Sequence, residues 1–323
     1  MAALTSYSNM NIAEVNKRAG YDNLANVLGE VAKRNDFVSQ VPWLPSTHGL
    51  YNKSLQATRL GAGAFSKING PTTSISSSTD FNVEPVKMYE GDSEVDQRIL
   101  LGADDPRATR DSEDALNLKG MMDDWAYNLF YGSDVTAPDS LKSLAQRRAK
   151  LSTYCIGASG TGSDLTDLWT MELGPSGFYL AYAKGGSPGF VTRDEGKHKI
   201  NVPTGSGQYW AWIRHYEINA AIVLRNERAL IRYTNIETSG SSNIFDAATY
   251  IKKVQAQLPS MGRDAINFGN RTLVGQLTAD AYAKSNAAYS IQDIEGFGPV
   301  MRIVGIPVMV CEVIPDTVTA LTA

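Results

Sequence analysis

Two cysteines and three histidines are all of either kind that the 323 residues contain. Cys155 and Cys311 stand far apart and in no CxxC spacing, which excludes a disulfide framework and a zinc knuckle. Both read as small core residues. His48, His198 and His215 fall into neither an HxxxH nor an HExxH pattern, so no zinc site of that kind is expected. His215 lies in an aromatic stretch and reads as a hydrogen-bonded structural histidine. No serine occupies a GxSxG elbow, and no motif surrounds either cysteine. Runs of Lys and Arg long enough to grip a phosphate backbone are missing, and the formal net charge is −4. Tight nucleic-acid binding is therefore not expected. No stretch approaches the ~20 apolar residues of a membrane span, and MAALTSYS has neither the basic nor the apolar region of a signal peptide. The expectation is a soluble chain made in a reducing cytosol. No internal repeat is visible.

What is present is 43% hydrophobic residues, 20% charged residues and 28 glycines. That suits one large or two modest domains with many loops. Leu24, Val27, Leu28 and Val31 recur at helical spacing behind Asp22, so residues 1–47 read as an arm with a short helix. VPWLP (41–45) is held extended by its two prolines. Residues 50–60 then read as a strand, in which Leu55 and Ala57 alternate with Gln56 and Thr58. Residues 79–96 read as the return strand, with Phe81 and Val83 on one face. The connection between them, 61–78, is rich in Gly, Ser and Thr and far longer than the ~4–6 residues usual inside a compact domain. Two strands alone rarely offset the ~1–2 kcal/mol per residue of backbone ordering. This hairpin therefore reads either as lying on something else, most naturally a neighbouring subunit, or as a disordered surface loop.

The clearest helix spans 111–131. Ala115, Leu118, Met122, Trp125 and Leu129 form one apolar stripe, Asp111 and Ser112 offer capping chemistry, and Gly132 can end it. Residues 210–233 read as mostly β. A second helix is expected at 244–258, with Ile244, Ala248, Ile251, Val254 and Leu258 in step. INFGN (266–270) reads as a strand, 271–285 as a helix, and 301–314 as a strand pair broken at Gly305–Pro307. Helices and strands interleave without a βαβ period, which makes the class α+β.

The remaining candidates for chemistry are weak. GASGTG (157–162) has the glycine spacing of half a phosphate loop, but Ser163 and Asp164 stand where Lys and Ser/Thr are required. GAG (61–63) lacks the third glycine of a dinucleotide fingerprint. Asp92, Glu94 and Asp96 alternate on one strand face and suggest calcium, yet neither the turn glycine nor the closing glutamate of an EF-hand follows. Pairing with Arg or Lys across an interface is the better reading of these acids. Arg59, Lys67 and Arg98, on or near the hairpin, read either as solvated charge or as salt-sensitive inter-subunit partners. No cofactor or metal is expected.

The order of arm, long hairpin, long amphipathic helix and mixed body resembles the Hong Kong 97-type fold of tailed-bacteriophage major capsid proteins. VPWLP (41–45), NLFYGS (128–133), GASGTGSDLTDLW (157–169), AKGGSPGF (183–190), IRYTNIE (231–237) and GIPVMVCEVI (305–314) resemble, in that order, strings of the epsilon15-like subfamily. The resemblance implies an N-terminal arm (1–47), an extended hairpin loop (48–100), a spine helix opening the peripheral domain (101–150), and interleaved peripheral and axial domains (151–323). It also implies pentamers and hexamers closing into an icosahedral virion capsid around double-stranded DNA, assembled in the host bacterial cytoplasm through a procapsid. A mildly acidic wall would not hold such contents. Partners implied are further copies of the chain, a separate scaffolding protein, a portal and possibly a decoration protein, with no membrane. Trp43, Arg59, Lys67, Glu94 and Arg98 are the expected assembly-interface residues, and Leu118, Met122, Trp125 and Leu129 the spine-helix core. An encapsulin-like compartment shares this fold and is the alternative. An unrelated soluble enzyme is the second alternative, which the missing catalytic motif disfavours.

Overall fold

The computed structural model describes residues 37–201, 207–239, 244–283, 288–294 and 298–322. The helix expected within 22–34 lies outside the described residues. The chain enters through a short helix, α1 (Phe37–Gln40), and a strand, β1 (Trp43–Pro45). β1 is extended as its prolines require and pairs parallel with β7 (Phe178–Tyr182). β2 (Tyr51–Arg59) and β3 (Ser78–Pro85) then form a two-stranded antiparallel ribbon joined to no other strand among the described residues.

The return strand does not run unbroken to residue 96, as the sequence suggests. It divides at Val86, and β4 (Lys87–Asp96) leaves the ribbon to pair along its whole length with β9 (Gln208–Leu224). β8 (Phe190–Asn201) and β7 occupy successive stretches of β9 on its other side. These strands and β1 make a five-stranded sheet. The second sheet has seven strands in the order β12 (Tyr289–Ile294), β13 (Gly298–Ile303), β14 (Ile306–Val310), β11 (Ala265–Gly269), β6 (Leu165–Glu172), β10 (Leu230–Glu237) and β5 (Cys155–Gly157). β13 and β14 are joined by Val304 and Gly305, both at positive φ, as a two-residue hairpin demands.

After α2 (Gln97–Leu101) comes the long helix α3 (Pro106–Tyr131), roughly 39 Å at 1.5 Å per residue. It starts five residues before the expected cap. Asp105 is the true N-cap, accepting from the amides of Arg107 and Ala108 at 3.0 Å, and Pro106 takes the first helical position, where a missing N–H costs nothing. Gly132 ends the helix, its amide donating to Asn128 O at 2.8 Å. The expected stripe is half right. Trp125 and Leu129 are buried, with Ala126 and Phe130, but Leu118 and Met122 are only half-buried. The first half of the helix presents a different and polar face to the sheet. Asp114 and Ser112 are buried, Asn117 Nδ2 donates to Ser93 Oγ at 2.9 Å, and Tyr216 Oη donates to Asp114 O at 2.9 Å. Gly91 on β4 lets the helix come close, since a Cβ there would stand 3.1 Å from Met121 Sδ.

The buried half of α3 is wedged between the two sheets. Trp125 stacks on Trp43 (centroids 6.1 Å) and meets Phe190 edge-on at 6.0 Å. Phe37 lies between Phe130 (4.9 Å) and Phe268 (5.1 Å), which joins the entering chain to both. A short helix, α4 (Leu144–Arg147), follows α3 and adds Leu144 to this core. A second core on the far side of the seven-stranded sheet is closed by α6 (Arg271–Ala283) and a helical run over 247–257. That run is irregular: an α-turn, α5 (Ala247–Thr249), then a π segment and a 3₁₀ segment. The buried face agrees only in part with the expected one. Ala247, Tyr250, Val254 and Leu258 point inward, while Ala248 and Ile251, expected in the apolar stripe, are exposed.

The most deeply buried ion pair among the described residues is Arg232–Asp167. Arg232 Nε and Nη2 both donate to Asp167 Oδ2, at 2.9 and 2.7 Å, and Tyr131 Oη donates to the same oxygen at 2.8 Å. Burial and the adjacent Asp167 carboxylate push the Tyr131 phenol well above its usual range, so it stays a donor.

Two predictions follow from this packing. Trp125→Ala is expected to cost about 3–5 kcal/mol, read by chemical denaturation of the unassembled subunit, because the ring is almost completely buried. Arg232→Ala leaves a buried carboxylate without its cation and is expected to cost about 3–5 kcal/mol in the same measurement.

Candidate assembly surface

The β2–β3 ribbon cannot bury its own apolar side chains. Leu55 faces Phe81 across the ribbon, yet both remain exposed, and Lys53 Nζ sits 3.6 Å over the Phe81 ring. Beyond Arg59 the chain runs through residues 60–77 without strand pairing. One turn is hydrogen-bonded at the tip, Gly70 N to Lys67 O at 2.9 Å, with Asn69 left-handed. Around it Phe65 is fully exposed, Ile68 is 95% exposed and Leu60 80%. Nine of the eighteen large apolar side chains exposed among the described residues lie between Leu50 and Val83. An apolar load concentrated in one excursion marks a contact surface rather than scattered surface residues.

The ribbon's root is fastened. Glu84 accepts two hydrogen bonds from Arg147, Nη1 to Oε1 and Nη2 to Oε2, both 2.7 Å, and both side chains are mostly buried. Such a planar double contact fixes orientation as well as distance. Lys87 Nζ donates to Pro138 O at 2.7 Å, and Val86 N to Leu50 O at 2.8 Å.

A second polar cluster lies where α3 crosses β8 and β9. Asp114 is held by Arg214 Nη1 at 3.0 Å and Arg110 Nε at 3.6 Å, and Arg110 Nη2 reaches Asp194 Oδ1 at 2.7 Å. Burial raises the pKa of Asp114, with the Ser93 hydrogen bond and the two arginines working against it. Asp194, nearer the surface, is lowered mainly by its hydrogen bond from Arg110. The Arg110 guanidinium also lies 5.1 Å over Trp212.

The expected interface residues are not gathered at one place. Trp43 is half-buried and stacks on Trp125, within the chain's own core. Arg59 spans the mouth of the tip, Nη2 to Ser76 Oγ at 2.6 Å. Lys67 stands exposed at the tip turn. Glu94 is half-buried on β4, and Arg98 is exposed on α2 with its amide bound to Asp96 Oδ1 at 2.8 Å. The sequence reading missed Phe65 and Ile68, whose signal was large apolar side chains in an otherwise polar loop. It also missed Glu84 and Arg147, which lie 63 positions apart.

The other motifs serve structure. Asp92 accepts from His215 Nδ1 at 2.7 Å, and Asp96 caps α2; no group of three or more potential metal ligands occurs among the described residues. The GASGTG turn is tied to β10. Gly160 N donates to Asn235 O at 3.1 Å, and a Cβ at Gly160 would collide with that oxygen, which leaves no room for a phosphate on this side. Asp164 engages Ser239. No helix among the described residues is long and apolar enough to cross a membrane. Both thiols are buried, and desolvation pushes Cys155 up to about 11. A thiol-specific reagent at pH 8 is therefore expected to label neither cysteine until denaturant is added.

A ribbon projecting from two sheets wedged by one long helix, with its apolar side chains outward, defines a shell-building subunit of the Hong Kong 97-type. The chain belongs to the major capsid protein GP7 family, whose model matches residues 20–322, and it is a tailed-phage major capsid protein located in the virion shell. Among solved structures, the capsid chain of bacteriophage epsilon15 is similar at 19% identity, covering 99% of this chain and 100% of that one, with a TM-score of 0.70. The bacteriophage JBD30 capsid matches at 11% identity over 97% of this chain and 96% of that one, TM-score 0.47. The holo-SrpI encapsulin of Synechococcus elongatus PCC 7942 matches at 9% identity over 72% of this chain and 98% of that one, TM-score 0.48. No curated protein matches the chain.

Proposed function

We propose that this subunit assembles as hexamers and pentamers into an icosahedral shell around phage double-stranded DNA, and that its work is mechanical rather than catalytic. The observation that carries this reading is the ribbon, which exposes half of the large apolar side chains that the described residues leave outside. A subunit that lends such an element to one neighbour and accepts another makes head-to-tail contacts, and these close into rings. Many modest contacts per subunit then hold a shell by multivalency. In this reading the interior is contacted without sequence preference, in keeping with the net charge of −4. Assembly takes place in the host cytoplasm with a separate scaffolding protein and a portal, and a decoration protein is an optional addition. The arm (1–47), hairpin loop (48–100), spine-helix segment (101–150) and interleaved peripheral and axial domains (151–323) are the proposed working parts. The strand change at Val86 supports a mechanical boundary of the hairpin at that residue.

Electron microscopy of the chain expressed with its phage's other head genes is expected to show hollow icosahedral particles. Particles each enclosing a single host enzyme would instead mark an encapsulin-like compartment. Deletion of 61–78 is expected to leave a folded body with an unchanged thermal transition but no closed shells. Normal particles from that deletion would refute the role given to the hairpin.

A further inference from the structure

Resting on that shell-subunit reading, we propose that the hairpin tip has a built receptor on the next copy of this chain: the apolar cavity between α2, the start of α3 and β9, with Phe65 as the inserted side chain and Lys67 on its acidic rim.

The cavity measures about 360 Å³, and Leu100, Leu101, Pro106 and Trp212 share its lining with Arg107 and Arg110. Leu101 is 75% exposed although it stands beside Leu100 and Trp212, which already form a small apolar cluster with Val95. The site is therefore an apolar cluster lacking one side. The tip is the counterpart: Phe65 is completely exposed, and no contact among the described residues covers it. The chain's own tip thus leaves its own cavity open, and the occupant proposed is a second copy.

The apolar lining favours this cavity over the two crevices at the ribbon's root. Lys67 is the single charged residue in 61–78. The two crevices at the ribbon's root are lined by Lys142 and Arg147, and one of them also by Lys87, beside polar groups. Their linings are mostly polar, with Glu84 and Asp134 in one, and Asp80, Glu84 and Glu227 in the other, beside the cations. At the α2–α3 turn the exposed carboxylates Asp104 and Asp105 precede Pro106 directly. Of the two arginines lining the cavity, Arg110 is engaged with Asp114 and Asp194, whereas Arg107, 3.8 Å from Asp111, stands largely in solvent. A ring in the cavity and an ammonium group on Asp104 two positions later is a spacing that a turn at 67–70 can deliver. Placement supports the same pairing. The ribbon leaves the body at the Lys87 end of β4 and the cavity lies past the Asp96 end, about 30 Å away at ~3.3 Å per residue. Donor and receptor at opposite ends of one strand give a head-to-tail contact, as ring closure requires.

The test uses the full chain expressed with its phage's other head genes. Unmodified chain that yields no particles would defeat the shell reading itself. Given particles, Phe65→Cys with Leu101→Cys is expected to give, on oxidation, a ladder of reducible covalent oligomers in a denaturing gel. Phe65→Cys with Val135→Cys, another exposed position, is expected to stay monomeric. Intact particles without the ladder, or equal linking in the control pair, would overturn the receptor while leaving the shell reading in place. Should the double variant not assemble, charge reversal decides. Lys67→Glu is expected to lower particle yield about tenfold, and adding Asp104→Lys to restore it. A yield unaffected by Lys67→Glu, or not restored by the second change, would count against the pairing.

Discussion

The stacking of Trp125 on Trp43, with Phe190 closing from the side, is the contact on which the architecture depends. It joins the entering strand, the long helix and the first residue of β8 at one point. Phe130 and Phe37 carry the same packing on to Phe268 in the seven-stranded sheet. Neither sheet has a covered inner face without the C-terminal half of α3. The helix's N-terminal half makes few apolar contacts of its own, and it is held over β4 and β9 by hydrogen bonds and the ion pairs of Asp114. One helix therefore works in two regimes: dispersion and hydrophobic burial at one end, directional polar contacts at the other.

That division explains how much was legible in the sequence. A 3.6-residue stripe reports apolar burial, so it found Trp125 and Leu129. It could not report a polar contact face, and it carried Leu118 and Met122 along with the rest. The helix start was missed because Asp111 and Ser112 satisfy the same capping chemistry as Asp105, and only the proline beside Asp105 distinguishes them. The helix at 244–258 was legible in part: Val254 and Leu258 are buried as the stripe requires, but Ala247 and Tyr250, whose hydroxyl donates to Asn267 Oδ1, take the inward positions given to Ala248 and Ile251. The hairpin was visible as a connection too long and too polar for a compact domain, but the change of partner at Val86 was not. The alternating pattern continues through it, and only the pairing partner changes. Glu84–Arg147 and Arg232–Asp167 join residues more than sixty positions apart, which no local pattern encodes.

The charged residues divide by depth rather than by sign. Arg232 and Asp167 are wholly interior, where water and salt do not reach them, and their removal would be a folding defect. Asp194, Arg214 and Asp111 lie near the surface and remain open to screening. Lys67 is fully in solvent and gains significance only when another surface is brought to it. The same chain thus carries ion pairs that ionic strength leaves alone and others that it weakens. Shell formation can answer to salt at concentrations where the subunit fold does not.

The passage of the ribbon into β4 sets how load travels. A hairpin tethered by a flexible loop would swing when pulled and pass little to the body. Here β3 and β4 are separated only by the buried Val86, and β4 is bonded to β9 at ten consecutive register positions. Tension arriving from a neighbour is spread along that ladder, so many hydrogen bonds must fail together instead of opening one by one. The Glu84–Arg147 clamp sits where the pull would otherwise peel the first pair away. Internal pressure on a closed container becomes tension between its plates. In this chain the segment that reaches outward is anchored in the longest strand of the body, as a rivet is set into the thickest part of a sheet.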